Sequence, residues 1–493
     1  MSLRYAFKKA PCIQPASALD RALIGASRIE TMTASATRQL FGTDGIRAVA
    51  GEPPLDATTI FAVGLALAHT LRRDTDHPAV ILGRDTRESS PWIAATLAAG
   101  LRAAGARVES AGVVPTPAVA FLAHTHGFHA GVVISASHNP WQDNGIKLFG
   151  ADGFKLPDAV ELAMEEEILH HAAQPGTRSV ALDPAYQLPL EDNRDFQADY
   201  IQFLLDSAPG LRLRAQHLVV DCANGAAAAI APELFRRLNA NGSAQITLLN
   251  TTPNGRNINE GCGALHPAYV AAETERRGAS LGITFDGDAD RCLLAGAHNN
   301  VLNGDVILLA AARDLKARGL LTGDLVVATT MSNMGLEAAL KRSAIHMVRA
   351  PVGDRYVLQH MQRYKAALGG EQSGHILLPH LATTGDGLLT ALAILDLIAR
   401  SGQTIEELTA DLRVFPQVIV NVRVREKRPI ESIPAVAASI RAAEEDLKDS
   451  GRVVIRYSGT EALARVMIEA ESEALMQQHA TAIAEAIRHE LGA

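Results

Sequence analysis

The chain has 493 residues, of which 47% are hydrophobic and 20% are charged, and its formal net charge is −8. That length exceeds what one hydrophobic core supports and predicts three or four domains, while the acidic balance argues against general binding of nucleic acid. No apolar run is long enough to span a membrane, and four widely spaced cysteines predict reduced thiols in a cytoplasmic protein, with neither a disulfide framework nor a zinc site formed by them.

The first 39 residues contain Pro11 and Pro15 and no continuous apolar segment. They therefore lack the apolar region of a secretory signal. We predict that residues 1–39 are a disordered extension, or that Met1 is an upstream start and Met32 is the functional one. A peptide that targets an organelle is the weaker alternative.

Strand and helix signals alternate along the following residues. A helical stretch at 58–71 precedes a short apolar strand at 79–82. Ser90 followed by Pro91 is typical of a helix start, and this helix is expected to end near residue 104. The alternation of strands and helices predicts an α/β architecture for this part of the chain.

A polar loop follows the buried strand predicted at 131–134. It reads Ser135-Ala136-Ser137-His138-Asn139-Pro140, so two hydroxyls and an imidazole stand at the carboxyl end of a strand. In open α/β sheets, ligands and reacting groups collect at that edge. The residues alone do not decide whether Ser135 or Ser137 carries the chemistry.

We predict that the strand beginning at residue 131 starts a unit of strand, polar turn and helix. The same unit recurs twice. Apolar runs at 218–221 and 325–328 are followed by polar turns and by helices that end near residues 238 and 342. Three such units predict three similar α/β domains.

The C-terminal part has a different order of elements. Its predicted strands and helices are 417–424, 433–447, 453–455, 465–469 and a helix from about 475 onwards. These elements predict a small α+β domain, with its boundary near Phe415.

Three carboxylates alternate with small residues in Asp286-Gly287-Asp288-Ala289-Asp290-Arg291, directly after the apolar run 281–283. In an extended loop, oxygens at this spacing converge on one hard cation. An EF-hand would need a glutamate at the twelfth position, where Ala297 stands. A few oxygens in a tight loop favour Mg²⁺, with water or phosphate as its remaining ligands.

Two further stretches suit a phosphorylated sugar. Arg456 and Arg465 bracket the turn Ser458-Gly459-Thr460, whose hydroxyl and backbone donors suit a phosphate group. Gly370-Glu371-Gln372-Ser373-Gly374-His375 places a carboxylate and a hydroxyl between glycines, a pattern that suits sugar hydroxyls. With a serine and a bound cation, these features predict phosphoryl transfer, whereas acyl chemistry lacks its Gly-x-Ser-x-Gly motif.

The order of these stretches resembles that of the α-D-phosphohexomutase family, from about Leu40 to Glu490. Five stretches carry the resemblance: Phe41–Arg47, Ser135–Lys147, Asp286–Arg291, Gly370–His375 and Arg456–Arg465. Finer motifs resemble the branch of the family that acts on glucosamine phosphates: Asn257–Gly263, Met331–Gly335, Val352–Val357 and Thr383–Gly387.

The resemblance implies a four-domain α/β fold, with three similar mixed α/β domains and a smaller C-terminal α+β domain. The expected domains are 40–187 with the serine loop, 188–294 with the metal loop, 295–412 with the sugar loop and 413–493 with the phosphate loop.

The resemblance also implies roles for individual residues. The implied catalytic set is Ser137 as a phosphoserine, His138, Lys147, Arg47 and Arg291. The implied metal ligands, for one Mg²⁺ per active site, are Ser137, Asp286, Asp288 and Asp290. The implied substrate-binding residues are Glu371, Ser373, Arg456, Ser458, Gly459, Thr460 and Arg465. The general base stays open between His138 and Lys147.

The expected reaction interconverts glucosamine 6-phosphate and glucosamine 1-phosphate through a 1,6-bisphosphate, and so supplies UDP-N-acetylglucosamine and cell-wall synthesis. The nearest alternative is a phosphomannomutase/phosphoglucomutase that acts on neutral hexose phosphates. A non-catalytic sugar-phosphate-binding protein and a Mg²⁺-dependent phosphatase are the alternatives from other classes.

The expected partner is a small sugar phosphate, with no nucleic acid and no membrane, and the protein is expected to be a monomer or a homodimer. Glucose- or glucosamine-1,6-bisphosphate, or an activating kinase, is expected to phosphorylate the serine.

Three positions differ from the family pattern or vary within it. Ala462 replaces a common Pro and predicts a less rigid phosphate loop. Ala289 replaces a frequent Gly, a change expected to be tolerated, and Gln372 occupies a variable position expected to tune specificity.

Overall fold

A computed structural model describes residues 39–42, 44–174, 176–177, 190–213, 216–457 and 462–492. The described residues from Leu40 onwards belong to one folded unit. The extension predicted at the N-terminus lies outside the described residues, apart from Gln39.

The first sheet is mixed and five-stranded. Its strands are β1 (Ile46–Val49), β2 (Ala79–Arg84), β3 (Arg107–Val113), β4 (Ala130–Ile134) and β5 (Asp143–Gly150), in the spatial order β1-β5-β4-β2-β3. Strand β2 pairs in parallel with β3 and β4, and β5 is antiparallel to both β4 and β1. The accompanying helices are α1 (Ala57–Leu71), α2 (Ser90–Ala103), α3 (Thr116–Thr125) and α4 (Asp158–Ala172).

The second sheet repeats this plan. Its elements are α5 (Asp195–Ser207), β6 (His217–Asp221), α6 (Ala227–Leu238), β7 (Gln245–Leu249), α7 (Pro267–Arg276), β8 (Leu281–Phe285), β9 (Cys292–Gly296) and β10 (Asn300–Leu302). The spatial order is β10-β9-β8-β6-β7. Strand β6 is parallel to β7 and β8, and β9 is antiparallel to β8.

The third sheet has four strands. Its elements are α8 (Gly304–Ala317), β11 (Leu325–Thr329), α9 (Met334–Arg342), β12 (His346–Ala350), α10 (Asp354–Tyr364), β13 (Gly369–Gly370), β14 (Ile376–Leu377), α11 (Gly387–Ser401) and α12 (Ile405–Leu408). The spatial order is β12-β11-β13-β14, with β14 antiparallel to β13.

The fourth sheet is antiparallel and three-stranded. Its elements are β15 (Gln417–Arg423), α13 (Pro434–Leu447), β16 (Gly451–Tyr457), β17 (Leu463–Ala470) and α14 (Glu473–Leu491), and β17 lies in the middle of the sheet. The two helices and the inward side chains of the sheet form a separate hydrophobic cluster. The predicted smaller C-terminal α+β domain is confirmed.

The three α/β sheets place their polar loops at one equivalent position. In each sheet a third parallel strand (β4, β8 or β13) turns back through a loop into an antiparallel strand (β5, β9 or β14). The serine loop, the aspartate loop and the Glu371 loop are these three turns. Because the sheets share a topology, the three chemical loops occupy matching ends of matching strands.

The structure corrects two details of the sequence interpretation. The strand β4 does not lead into a helix, because β5 follows it as an antiparallel partner, so the true counterpart of β6 and β11 is β2. The boundary predicted between residues 294 and 295 falls inside β9, and the strands of the second sheet continue to Leu302.

Burial follows the apolar pattern of the strands that position the loops. All five residues of β4 and all five of β8 are buried, as expected for strands covered on both faces. Helix α11 begins at the cap residue Asp386, whose side chain accepts a hydrogen bond from Leu389 N. None of the helices in the described parts of the chain is both long and apolar enough to cross a membrane.

Candidate active site

Ser137 stands just beyond the end of β4, fully buried, with a left-handed backbone (φ 53°). Its hydroxyl donates to Asp286 Oδ2 at 2.5 Å and lies 3.2 Å from His138 Nδ1. Ser135 instead donates to Asp85 Oδ2 at 2.6 Å and accepts the Ser137 N–H. The two serines therefore face different partners, and only Ser137 faces the aspartate loop with its hydroxyl.

A buried ion pair fixes the backbone of the serine loop. The Arg87 side chain pairs with Asp85 at 2.8 Å and is fully buried. Its guanidinium also donates to the carbonyl oxygens of Ser137, Asn139 and Pro140, at 2.9, 2.9 and 2.5 Å. Five fixed donors in a planar fork suit this arrangement, which a lysine could not reproduce.

The aspartate loop approaches the serine loop so closely that one position requires glycine. A Cβ on Gly287 would lie 2.4 Å from the Ser137 carbonyl oxygen. That carbonyl also accepts a hydrogen bond from Asn259 Nδ2 at 3.0 Å. Ala289 has a left-handed backbone with φ 54°, which explains why glycine would suit this position.

Three carboxylates converge beside Ser137. Asp286, Asp288 and Asp290 are buried, and one oxygen of each lies within 4.8 Å of the others. In the described part of the chain, the buried Asp288 Oδ1 accepts no hydrogen bond. Burial and the two neighbouring carboxylates raise the pKa of Asp286 well above its ordinary value. An all-oxygen, negatively charged and desolvated set of this kind fits a hard divalent cation.

Lys147 offsets part of the negative charge of the aspartate loop. Its ammonium lies 2.8 Å from Asp288 Oδ2, 3.4 Å from Asp290 Oδ2 and 3.1 Å from Asp44 Oδ2. Burial opposes the charged form, but these carboxylates raise the pKa of Lys147 well above its ordinary value. Lys147 is therefore an ammonium group throughout the neutral range. The Thr116 hydroxyl also donates a hydrogen bond to Asp288 Oδ2, at 2.5 Å.

His138, unlike Lys147, has a pKa that is lowered by its surroundings. Burial, followed by the guanidinium groups of Arg291 and Arg47, lowers the pKa of His138 from 6.5 to about 4. Its imidazole is therefore neutral at neutral pH. Arg47 also pairs with Asp44, and Arg291 reaches Asp290 at 3.9 Å. The predicted transfer-site residues Arg47, His138, Lys147 and Arg291 therefore do surround one cluster.

The loop of Glu371 and Ser373 borders the same cluster. Glu371 Oε1 accepts the Gly353 N–H at 2.9 Å, and Ser373 lies 3.3 Å from the other carboxylate oxygen. The Gly374 carbonyl accepts the N–H of Cys292, the first residue after the aspartate loop. Both predicted sugar-binding side chains are half-buried, so they remain accessible at the edge of the cluster.

A row of charged residues that the sequence did not indicate joins the first and third sheets. Lys155 bridges Asp44 and Asp354, and the bond to Asp354 is 2.5 Å. His375 lies 3.9 Å from Asp354 Oδ2 and 3.6 Å from Asp290 Oδ1. Burial opposes its protonation, yet Asp290 and Asp354 raise the pKa of His375 to about 9. The motifs around Asp354 and His375 were visible, but their partners lie far away in sequence.

The predicted phosphate residues lie in the fourth sheet. Arg456 on β16 is directly opposite Arg465 on β17, so their side chains share one face of the sheet. Arg456 is exposed and Arg465 half-buried. The residues predicted between them, Ser458, Gly459 and Thr460, lie outside the described residues. The structure thus brings the two arginines together and leaves the turn between them undescribed.

Asn333 anchors the linker that leads into the fourth sheet. Its amide accepts the Phe415 N–H at 2.9 Å and donates to the Phe415 carbonyl at 3.0 Å. Its backbone N–H donates to Asp305 Oδ2, which also accepts a hydrogen bond of 3.1 Å from Gln372. A continuous series of hydrogen bonds therefore runs from the sugar loop to the linker.

Family models cover nearly the whole described chain. They match residues 38–174, 198–299, 303–415 and 419–486 to the α/β/α domains I, II and III and the C-terminal domain of phosphoglucomutase/phosphomannomutase. All four domains of that family are present in order. The expected fold class is confirmed.

Curated relatives are similar over the same length. A phosphoglucosamine mutase of Koribacter versatilis is 56% identical over 458 residues, which are 92% of this chain and 98% of that protein. A phosphoglucosamine mutase of Solibacter usitatus is 48% identical over 455 residues, 92% of this chain and 99% of the relative.

Solved structures show the same fold at lower identity. A phosphoglucomutase/phosphomannomutase family protein of Burkholderia thailandensis has a TM-score of 0.70 and 24% identity, over 91% of this chain and 97% of its own. An N-acetylphosphoglucosamine mutase of Aspergillus fumigatus has a TM-score of 0.64 and 20% identity, over 96% and 98%.

Proposed function

The chain belongs to the phosphoglucomutase/phosphomannomutase family, among its phosphoglucosamine mutases, and we propose that it interconverts glucosamine 6-phosphate and glucosamine 1-phosphate through a phosphorylated Ser137. The observation that carries this proposal is the buried cluster in which the Ser137 hydroxyl contacts Asp286 beside two further carboxylates. A nucleophilic serine next to a cation site and several cationic side chains is suited to phosphoryl transfer.

In the first half of the reaction, the sugar O1 attacks the phosphorus of phosphoserine, and the bond between phosphorus and Ser137 Oγ breaks. The proton of the sugar hydroxyl passes to a base, and that base returns a proton to the departing Ser137 Oγ. Of the two bases left open by the sequence, His138 is the one that we propose, because its imidazole is neutral with a pKa of about 4. Lys147 keeps its proton, since the pKa of Lys147 is raised well above its ordinary value, and it stabilises charge on the transferring group.

Asp286, Asp288 and Asp290, with an oxygen of phosphorylated Ser137, are the proposed ligands of one Mg²⁺. When bound, this ion supplies Lewis-acid stabilisation to the transferring phosphoryl group. The chain itself contributes Arg291 and Arg47 around the same atoms and orients the serine loop through Arg87. The burial of the cluster excludes water, which favours return of the phosphoryl group to a sugar over hydrolysis.

The other end of the sugar phosphate is proposed to bind Arg456, Ser458, Gly459, Thr460 and Arg465, while Glu371 and Ser373 hold hydroxyl groups. The bisphosphate then turns around, and Ser137 Oγ attacks the phosphorus of the 6-phosphate while the serine proton passes to the base. The bond from that phosphorus to the sugar O6 breaks, O6 takes up a proton, and glucosamine 1-phosphate is left. The phosphoryl group received by the serine balances the one it gave, so no net phosphate is consumed. A hinge at the linker near Phe415 allows the fourth sheet to open for this turn.

We also propose the domain limits and the supply of the first phosphoryl group. The second domain is proposed to continue past the predicted end at 294 to Leu302, because β9 and β10 belong to its sheet. The predicted limits at 187 and 412 are proposed unchanged. Glucose- or glucosamine-1,6-bisphosphate, or a kinase, would phosphorylate Ser137 before the first turnover.

A panel of sugar phosphates tests the proposal. Glucosamine 6-phosphate, mannose 1-phosphate and glucose 1-phosphate are assayed with wild-type protein and Ser137→Ala, with Mg²⁺ and a bisphosphate primer. We expect the highest kcat/KM for glucosamine phosphate and loss of nearly all activity in Ser137→Ala, with sugar phosphate still bound. A preference for neutral hexose phosphates would contradict the substrate, and full activity in Ser137→Ala would contradict the mechanism.

A further inference from the structure

A second cluster of metal-ligating side chains lies on the first domain, away from the aspartate loop. It consists of His69 in the last turn of α1, and Glu167 and His171 one turn apart on α4. Helices α1 and α4 pack against each other, so the cluster joins two elements that are almost a hundred residues apart. We propose that these three side chains form a binding site for a divalent transition metal such as Zn²⁺.

The geometry is close to that of a three-ligand site. His69 Nδ1 lies 2.6 Å from Glu167 Oε1, and His171 Nε2 lies 3.5 Å from the same oxygen. The ligand atoms all lie within 4.8 Å of one another. Ligands bound tetrahedrally to Zn²⁺ at 2.0–2.1 Å stand about 3.3 Å apart, so small side-chain rotations would place all three around one ion.

The donor types define which metal is accepted. Two imidazoles and one carboxylate suit Zn²⁺ and its transition-metal neighbours, whereas Mg²⁺ prefers oxygen ligands. The cluster therefore differs in kind from the aspartate loop, whose donors are all oxygen atoms. The side chains of His69, Glu167 and His171 are 43%, 23% and 27% exposed, which leaves room for an entering ion and for a water molecule as fourth ligand.

The position of the cluster suggests what a bound metal would do. Glu165, on the same helix α4, accepts hydrogen bonds from the backbone N–H groups of Leu40 and Phe41. Those residues begin the segment that leads to Arg47 at the transfer site. A metal that joins α4 to α1 would stabilise the helix that holds this segment, by binding the folded state alone.

Cobalt titration provides the direct test, because Co²⁺ bound by imidazole gives visible absorption bands. Untagged protein is titrated with Co²⁺ and then with competing Zn²⁺, in a large excess of Mg²⁺ that occupies the aspartate loop. The variants are His171→Ala and Glu167→Gln. The matched control is His170→Ala, whose ring is adjacent to that of His171 but which is not part of the cluster.

We expect wild type and His170→Ala to bind one equivalent of metal with micromolar affinity, and both cluster variants to bind at least tenfold more weakly. Zn²⁺ should raise the melting temperature of wild type and slow hydrogen exchange at Leu40 and Phe41, without these effects in Glu167→Gln. Absence of saturable binding in wild type, or equal binding by the cluster variants and His170→Ala, would overturn the site. The proposal is independent of the mutase reaction, so neither result depends on activity.

Discussion

The Ser137 cluster and the arginine pair of the fourth sheet are proposed to hold opposite ends of one substrate, yet they are built differently. Ser137 and the three aspartates are buried, and every loop carrying them is tied to another by hydrogen bonds or close backbone contacts. Arg456 is exposed and Arg465 only half-buried, on neighbouring strands of a sheet joined to the rest through a linker.

The difference agrees with the two proposed tasks. Transfer of a phosphoryl group needs donors and charges that are already in position and free of water, because reorganisation during the reaction would raise the barrier. Binding of the second phosphate has to accept either end of the sugar and release it during each cycle. Changes in the buried cluster should therefore reduce kcat strongly, whereas changes in the arginine pair should mainly raise KM.

The largest expected effect comes from Asp288→Asn. This change removes one negative charge of the proposed metal site, and with it the charge that lies 2.8 Å from the buried ammonium of Lys147. We expect kcat to fall about 10³-fold, as for loss of a major electrostatic group in an active site. Steady-state kinetics over a range of Mg²⁺ concentrations measure it, with the exposed Asp206→Asn as control. A loss below tenfold would remove the aspartate loop from the chemistry.

Arg87→Lys tests whether the backbone of the serine loop must be held in place. Lysine keeps a positive charge for Asp85 but cannot reach the carbonyls of Ser137, Asn139 and Pro140 together. Arg87 is a positioning residue, so we expect kcat to fall about 10²-fold with KM little changed.

The matched control for this prediction is Arg84→Lys, which changes a guanidinium that pairs with Asp192 outside the cluster. Thermal unfolding is measured for both variants, because loss of a buried ion-pair partner also destabilises proteins. If kcat per folded molecule stays at the wild-type value in Arg87→Lys, the arginine is needed only for stability.

Part of this contrast could be predicted from the sequence, namely the part that depends on residues close to one another in the chain. The aspartate loop is local, since its three carboxylates stand within five residues, and spacing alone predicts their convergence. Arg87 was visible only as the end of a polar turn. The three carbonyl groups that it binds lie 50 to 53 residues away in the sequence, and no periodicity in the chain predicts such a contact.

The topology of the three α/β sheets could also be predicted only in part from the sequence. Apolar strands followed by helices are easy to recognise, whereas β5 carries the polar residues Asp143, Asn144 and Lys147 and lacks the continuous apolar pattern of a buried strand. Lys147 is charged because it faces the aspartate cluster, whereas Asn144 donates to Ser89 and Ser90 at the start of α2. Contacts to distant residues thus interrupt the apolar pattern of a strand. The left-handed backbone of Ala289 could not be predicted either, because alanine rarely adopts it.

Arg456→Ala tests the arginine pair that is proposed to bind the phosphate that is not reacting. Hydrogen bonds from a charged group contribute about 1.5–3 kcal/mol each, so we expect KM for glucosamine 6-phosphate to rise roughly 10- to 100-fold, with kcat changed less. Arg423→Ala, an exposed arginine on β15 of the same sheet, is the matched control. A drop in kcat alone would place Arg456 with the reacting groups and remove the contrast between the two ends.

The smallest effect is expected at the linker between the two regions, in Asn333→Ala. This change removes both hydrogen bonds to Phe415 and the side-chain cap of α9, so the closed arrangement of the fourth sheet should be less populated. We expect kcat to fall only several-fold, but the escape of free 1,6-bisphosphate per turnover to rise about tenfold, since the two lost bonds contribute about 0.5–1.5 kcal/mol each. The control is Asp56→Ala, which removes the side-chain cap of α1 in the first domain, at a typical cost of about 1 kcal/mol, and has no part in the hydrogen bonds that lead to the linker. Bisphosphate release is followed by quenched time courses with labelled sugar phosphate, and equal release from the two variants would show that the linker contact does not control closure.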